Sequence, residues 1–171
     1  MKELVQHMLL ERGVDLPDIA HLVLALQRPF HPRLTLQHCL DSVLAVLEKR
    51  EVQYALLTGI ALDRCAEQGL LPEPLQEAIV SDAPLYGIDE VLALSITNVY
   101  GTIGLTNFGY LDKIKPGILS KMNHRSPRVN TFLDDLIAGV AAAASARIAH
   151  NGAEEETGAI MSEIVGAESL C

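Results

Sequence analysis

Three observations predict an all-α fold for this chain. Apolar residues recur at helical spacing, no alternation of period two lasts long enough for a strand, and the core-forming residues are overwhelmingly aliphatic. Of the 171 residues 49% are hydrophobic, yet there are only three Phe, four Tyr and no Trp. A core of Leu, Ile, Val and Ala suits packed helices better than aromatic-rich strands. The length fits one domain over residues 1–171, a single-domain helical bundle with enough chain to bury a core. No internal repeat and no clear linker divides it.

The elements follow in order. Leu4, Val5, Met8 and Leu9 form a first short apolar face, closed by Gly13. Asp15-Leu16-Pro17 opens a second helix. There Ile19, Leu22, Val23 and Leu26 fall at i, i+3, i+4 and i+7, and Pro29 and Pro32 end the run. A third helix starts near Thr35 and repeats the spacing at Leu40, Val43, Leu44 and Leu47. The cluster "EKRE" (Glu48 to Glu51) reads as a solvated turn or face, and the helix that follows runs to Gly69. Leu70 to Gly87 is punctuated by three prolines and leaves room for one short helix.

Val91 to Leu111 is 21 residues without a charge, long enough to span a bilayer. It also carries Ser95, Asn98, Asn107, three Thr and three Gly, which is poor for lipid. The expectation is a central segment largely buried inside a helical protein. A loop from Pro116 to Pro127 comes next, then one long, small and apolar helix, "VNTFLDDLIAGVAAAASARIAH", from Val129 to His150. Asn151-Gly152 predicts its end. Residues 152–171 form an acidic C-terminal tail with five Glu and no Lys, at most a weak helix.

The net charge of −9 offers no basic field for nucleic acid. An anionic membrane would repel the chain overall. Cys39, Cys65 and Cys171 are odd in number and far apart, with neither zinc-ligand spacing nor a disulfide framework, which predicts a reducing cytoplasm. The N-terminus carries Glu3 and Glu11 and lacks the apolar core of a signal peptide.

The acids that stand out are Asp89-Glu90, Asp112 and Asp134-Asp135. Each has a structural explanation. Thr131 and Asp134 match a capping box, Asp89 and Glu90 could complement a helix dipole, and Asp112 could pair with Lys113 or Lys115. Their combination suggests more. Adjacent helical residues diverge by about 100°, so one acid of each pair can face inward while the other supports it. Several carboxylates would then meet in one polar hole in an aliphatic core. Such a cluster raises its members' pKa values and costs stability unless a cation neutralises it. All-oxygen ligands select Mg²⁺ or Mn²⁺ over zinc.

At these residues the chain resembles the phosphatidylglycerophosphatase A family, and end to end it is similar to that family's small soluble branch, the low-temperature-requirement C proteins. The matching stretches are "YGIDEVLALSITNVYG", "TNFGYLDKIKPG" and "VNTFLDDLIAGVAAAASARIAH". The family pattern is an Asp-Glu pair opening an apolar helix, then Leu-Asp-x-x-Lys-Pro, then Asp-Asp before a small, apolar helix. It falls here on Asp89 and Glu90, on Asp112, Lys115 and Pro116, and on Asp134 and Asp135. The membrane enzymes of the family add spanning segments and an early "PGTxGS" stretch. "YGTIG", Tyr100 to Gly104, lies downstream of the Asp-Glu pair and takes no role from that stretch.

The resemblance implies a bundle with a central buried helix surrounded by others, and metal-assisted hydrolysis of a phosphate monoester. Asp89, Glu90, Asp112, Asp134 and Asp135 would supply ligands for Mg²⁺, with Mn²⁺ as second choice, and Lys115 would add a point charge toward the phosphate. The substrate would be a phosphomonoester or a phospholipid headgroup. Membrane contact would be peripheral at most, at the inner face, and a homo-oligomer is left open. Small residues Ala138, Gly139, Ala142 and Ser145 let a neighbouring helix approach. His21 and His38 read as structural. His124, with Lys121, Arg125 and Arg128, forms a basic loop that could meet an anionic headgroup or simply be exposed. Two other readings stand beside the enzyme: a non-catalytic metal- or anion-binding protein, and an interaction protein using its acidic face.

Overall fold

In the computed structural model, residues 1–123 and 128–168 are described, apart from the side chains of Asn123 and of 152–168. The helices are α1 (Lys2–Glu11), α2 (Leu16–Gln27), α3 (Leu36–Leu47), α4 (Arg50–Glu67), α5 (Leu75–Val80), α6 (Ile88–Thr97), α7 (Gly101–Ile114), α8 (Ile118–Asn123) and α9 (Leu133–Glu168). A 3₁₀ turn, Asn98–Tyr100, joins α6 to α7. Among the described residues there is no strand, and no helix is long and apolar enough to cross a membrane.

The starts of α2 and α3 follow the sequence signals. Asp15 is the extended N-cap residue of α2, with Pro17 in its first turn. The Thr35 hydroxyl accepts from the His38 amide at 3.3 Å. "EKRE" is a turn: Glu48 closes α3 and Arg50 opens α4.

The axis of the molecule is α9, packed by α2, α3, α4, α6, α7 and α8. Every residue from Thr131 to Ala146 is buried. A helix apolar on all sides has no solvent face to keep, so the others wrap it. Phe132, Leu133, Leu136 and Ile137 are fully buried, each contributing about 1.5–3 kcal/mol by leaving water. Glycine sets how closely the shell approaches. A Cβ on Gly59 of α4 would lie 2.3 Å from Leu136 Cδ1 and 2.9 Å from Phe132 Cβ, and one on Gly139 would lie 3.1 Å from the Ala93 carbonyl oxygen of α6. On the opposite side the Ser42 hydroxyl donates to the Ala144 carbonyl at 2.9 Å.

Three expectations need correction. The uncharged stretch is not the buried centre. It folds back at Gly101 (φ 73°, ψ −162°) into α6 and α7, and each gives only one face to α9. Val91, Ser95, Val99, Thr102, Leu105, Thr106 and Tyr110 are exposed. Ser95 and Thr106 hydroxyls bond carbonyls one turn back on their own helices, so an uncharged residue here need not be a buried one. The stretch after Pro116 is not all loop, because α8 lies within it. Asn151-Gly152 does not stop α9, whose backbone stays helical to Glu168; a helical Gly costs only about 1 kcal/mol. His124 and Arg125 of the basic loop lie outside the described residues, while Lys121 is on α8 and Arg128 donates to the Glu11 carbonyl at 3.0 Å.

Candidate active site

Helix ends from three parts of the chain meet at the front of α9. Gly87 (φ 65°) turns the chain into α6 and places Asp89 and Glu90 in its first turn. The Asp89 carboxylate accepts from the Glu90 amide at 3.0 Å. At the other end of the pair, α7 delivers Asp112 in its last turn and Lys115 at its C-cap. Asp134 and Asp135 lie in the first turn of α9, where Asp134 accepts from the Asp135 amide at 2.9 Å. Together with Asp82, Leu85 and Thr131, these six side chains line one open-sided cavity of about 190 Å³.

The expected capping box at the head of α9 does not form. The Thr131 hydroxyl donates instead to the Ile79 carbonyl of α5 at 2.6 Å. The cap comes from another helix: the Asp63 carboxylate of α4, fully buried, accepts from the Phe132 amide at 3.1 Å and the Leu133 amide at 3.0 Å. Asp134 is thereby released from capping and turns to Lys115, whose Nζ donates to Oδ2 at 2.6 Å. Lys115 Nζ also sits 3.5 Å from Asp112 Oδ1.

The electrostatics are one-sided. Six carboxylates (Asp82, Asp89, Glu90, Asp112, Asp134 and Asp135) line the cavity, and Lys115 is the one cation among its lining residues. Burial works against the Lys115 ammonium, but Asp134, Asp135 and Asp112 outweigh it and hold its pKa above the usual lysine value. Burial raises Asp134, offset in part by Lys115. Asp89 is raised by burial too, against the pull of the Glu90 amide. Asp135 goes furthest: burial, then the charges of Asp134 and Asp112, push it up to about 9. It is 4% exposed and has no ion-pair partner among the described residues.

Backbone strain gathers at the same place. Among the described residues Asp82 (φ 50°), Leu85 (φ 70°) and Lys115 (φ 44°) are the non-glycine residues with positive φ, and all three line this cavity. Such conformations cost of order 1–3 kcal/mol each and persist where the surroundings impose them, most often at functional sites.

As the side chains stand, no three acidic, histidine or cysteine groups among the described residues are close enough to hold one metal ion. Shared coordination, expected from the sequence, would need the carboxylates to draw in around the position Lys115 now neutralises. The donor set itself fits a hard divalent cation, being oxygen throughout, with Asp135 outside the ion pairs that Lys115 makes. His21 and His38 are exposed on α2 and α3 and do not line the cavity.

Two residues escaped the sequence reading. Asp82 hides in "VSDAPLYG", where Asp before Ala-Pro is an ordinary turn signal and also a residue that tolerates positive φ. Asp63 had a visible sign: with Leu56, Gly59 and Ile60 it completes an i, i+3, i+4, i+7 face, so the helical period itself buries this acid.

The family pattern described as Phosphatidylglycerophosphatase A matches residues 7–150. The uncharacterized protein YpjQ of Bacillus subtilis (strain 168) is 55% identical over 150 residues, covering 88% of this chain and 85% of YpjQ. The uncharacterized protein YutG of the same strain is also 55% identical, over 147 residues, 85% of this chain and 89% of YutG. The crystal structure of the low temperature requirement C protein from Listeria monocytogenes superposes with a TM-score of 0.86 at 56% identity, covering 88% of this chain and 95% of that one.

Proposed function

Because this chain belongs to the phosphatidylglycerophosphatase A family, we propose that it hydrolyses a phosphate monoester with the help of a divalent cation, at the cavity between Asp89 and Asp135. The observation that carries the proposal is Asp135, a buried carboxylate that shares its cavity with five others and has no ion-pair partner among the described residues, in a lining strained at three positions. Asp89, Glu90, Asp112, Asp134 and Asp135 would hold Mg²⁺, or Mn²⁺. When bound, the ion would supply positive charge to the phosphoryl oxygens and acidify a water. Lys115, held in place by its left-handed backbone and by Asp134, presents its ammonium to the phosphate as a point charge. A carboxylate left outside the metal set takes the proton of the attacking water.

The rim favours a substrate with an apolar part. Leu85 lines the cavity yet is completely exposed, and Ile88 and Val91 on α6 are more than half exposed. This suits a phospholipid headgroup that enters the cavity while its chains stay outside. A second reading draws on Lys115, whose ion pair with Asp134 already neutralises part of the cluster: a non-catalytic protein that binds a cation or an anion there.

Phosphate release from phosphatidylglycerophosphate in mixed micelles, glycerol phosphate and p-nitrophenyl phosphate, each with Mg²⁺, Mn²⁺ or chelator, decides between them. The proposal expects metal-dependent release that Asp135→Asn abolishes, and a selective loss on the micellar substrate in Leu85→Asn. Asn suits the same positive φ and removes only the apolar side chain. A rise in melting temperature with Mg²⁺ but no turnover supports the binding reading. No effect of metal on either count leaves an acidic interaction face.

A further inference from the structure

We propose that Asp63, which lies outside the cavity, is the positioning residue for its Asp134 and Asp135, acting through the first turn of α9. The inference rests on the proposed role of those two carboxylates. A helix start leaves its first amides unpaired, and the residue preceding the first turn normally satisfies them. Here the local candidate, Thr131, is turned away to the Ile79 carbonyl, and both oxygens of Asp63 take the amides of Phe132 and Leu133 from across the core. Leu133 immediately precedes Asp134, so the plane of the Asp63 carboxylate fixes the rotation at which the Asp pair enters the cavity. A local cap would use the helix's own side chains; a cap from α4 ties the pair to the body of the bundle instead.

The chain entering α9 is clamped in the same way. Arg12 from the end of α1 donates to Glu67 at 2.7 Å, to the Asn130 side chain at 2.9 Å and to the Val129 carbonyl. Glu67 accepts from the Val129 amide at 2.9 Å, and Asn130 donates to the Met122 carbonyl at 3.2 Å. Four consecutive residues, Val129 to Phe132, are therefore held by α1, α4, α5 and α8 before the Asp pair begins. A site whose carboxylates must close around an ion gains from a support that does not itself take part.

The test compares wild type with Asp63→Asn and Asp63→Ala in the full chain. Asn keeps the shape and one acceptor but points an amide donor at a peptide N–H; Ala removes both acceptors. Ser42→Ala is the control, since it also removes a bond to α9 but about 15 Å further along the helix. Two readouts are taken below the unfolding range of each variant: amide hydrogen exchange at residues 132–136, and affinity for Mn²⁺. The inference expects faster exchange confined to 132–136 and Mn²⁺ binding weakened about tenfold or more in Asp63→Asn, more in Asp63→Ala, with neither change in Ser42→Ala. If Asp63→Ala does not fold, Asp63→Asn decides. Unchanged exchange at 132–136 overturns the inference, as does unchanged Mn²⁺ affinity in a variant of a wild type that binds the ion. A wild type that does not bind Mn²⁺ sinks the metal reading of the cavity, and the exchange data alone then decide the role of Asp63.

Discussion

At the scale of single residues, the cavity is a place where carboxylates are held against their own repulsion. Asp135 is the member with most to gain from losing its charge. With its pKa pushed up to about 9, it is already neutral at pH 7 without metal. Asp135→Asn therefore substitutes one uncharged group for another of the same shape, and its apo stability should stay within about 1 kcal/mol of wild type. Calorimetry with added Mg²⁺ should show the opposite pattern, with the metal-induced rise in melting temperature lost. An Asn variant that is clearly less stable yet still stabilised by Mg²⁺ identifies Asp135 as an ordinary structural acid. Asp63 makes a prediction about pH. Burial raises it from 3.8 to about 7, so the folded state keeps its proton to higher pH than the unfolded state. That contribution is full below about pH 4, is lost as pH rises toward 7 and is flat above. Over this window wild type should lose up to about 4 kcal/mol relative to Asp63→Asn, measured as the pH dependence of denaturant midpoints. The site acids on the family pattern were legible because they sit where helices begin and end. Asp82 was not, because nothing in a turn sequence says which way its side chain points.

At the scale of elements, the bundle depends on how closely α4 and α6 approach α9. Gly59→Ala should gain about 1 kcal/mol of helix propensity. It must also displace the backbone-proximal Cβ of Phe132, at 2.9 Å, as well as the end of Leu136. Overpacking of this kind costs about 1–3 kcal/mol, so a net loss of stability is expected. Phe132 is also an amide donor to Asp63, and metal affinity should fall with it. A variant as stable as wild type with unchanged affinity shows that the contact relaxes without moving the first turn. Most helices were readable from their apolar period, since each of α1 to α4 shows one buried stripe. The uncharged stretch misled because absence of charge resembles burial. Its Ser and Thr hydrogen-bond along their own helices or face water, and the residues at contact spacing, such as Ala93, Ile96, Gly104 and Phe108, reach the core.

At the scale of the whole molecule, the all-α architecture and the family follow from composition and three short motifs. What could not be read is which helix is central and what holds its head, because both depend on contacts between residues far apart in the chain, as from Asp63 to Phe132. The central position of α9 also has a consequence for how the protein is made. During synthesis α2, α3, α4, α6, α7 and α8 emerge before the element they pack, so this sheath, with core residues such as Val23, Val43, Leu56, Ile60 and Ile96, is expected to lack its centre until α9 is made. A chain cut after Arg128 should stay expanded, bind an apolar dye and lack a cooperative melting transition. A separate peptide of residues 129–151 should restore compactness when added; a truncated chain that melts cooperatively alone would show that the sheath has a core of its own. Until α9 arrives, the nascent protein is expected to offer those core residues to chaperones, and its maturation to wait for a single segment.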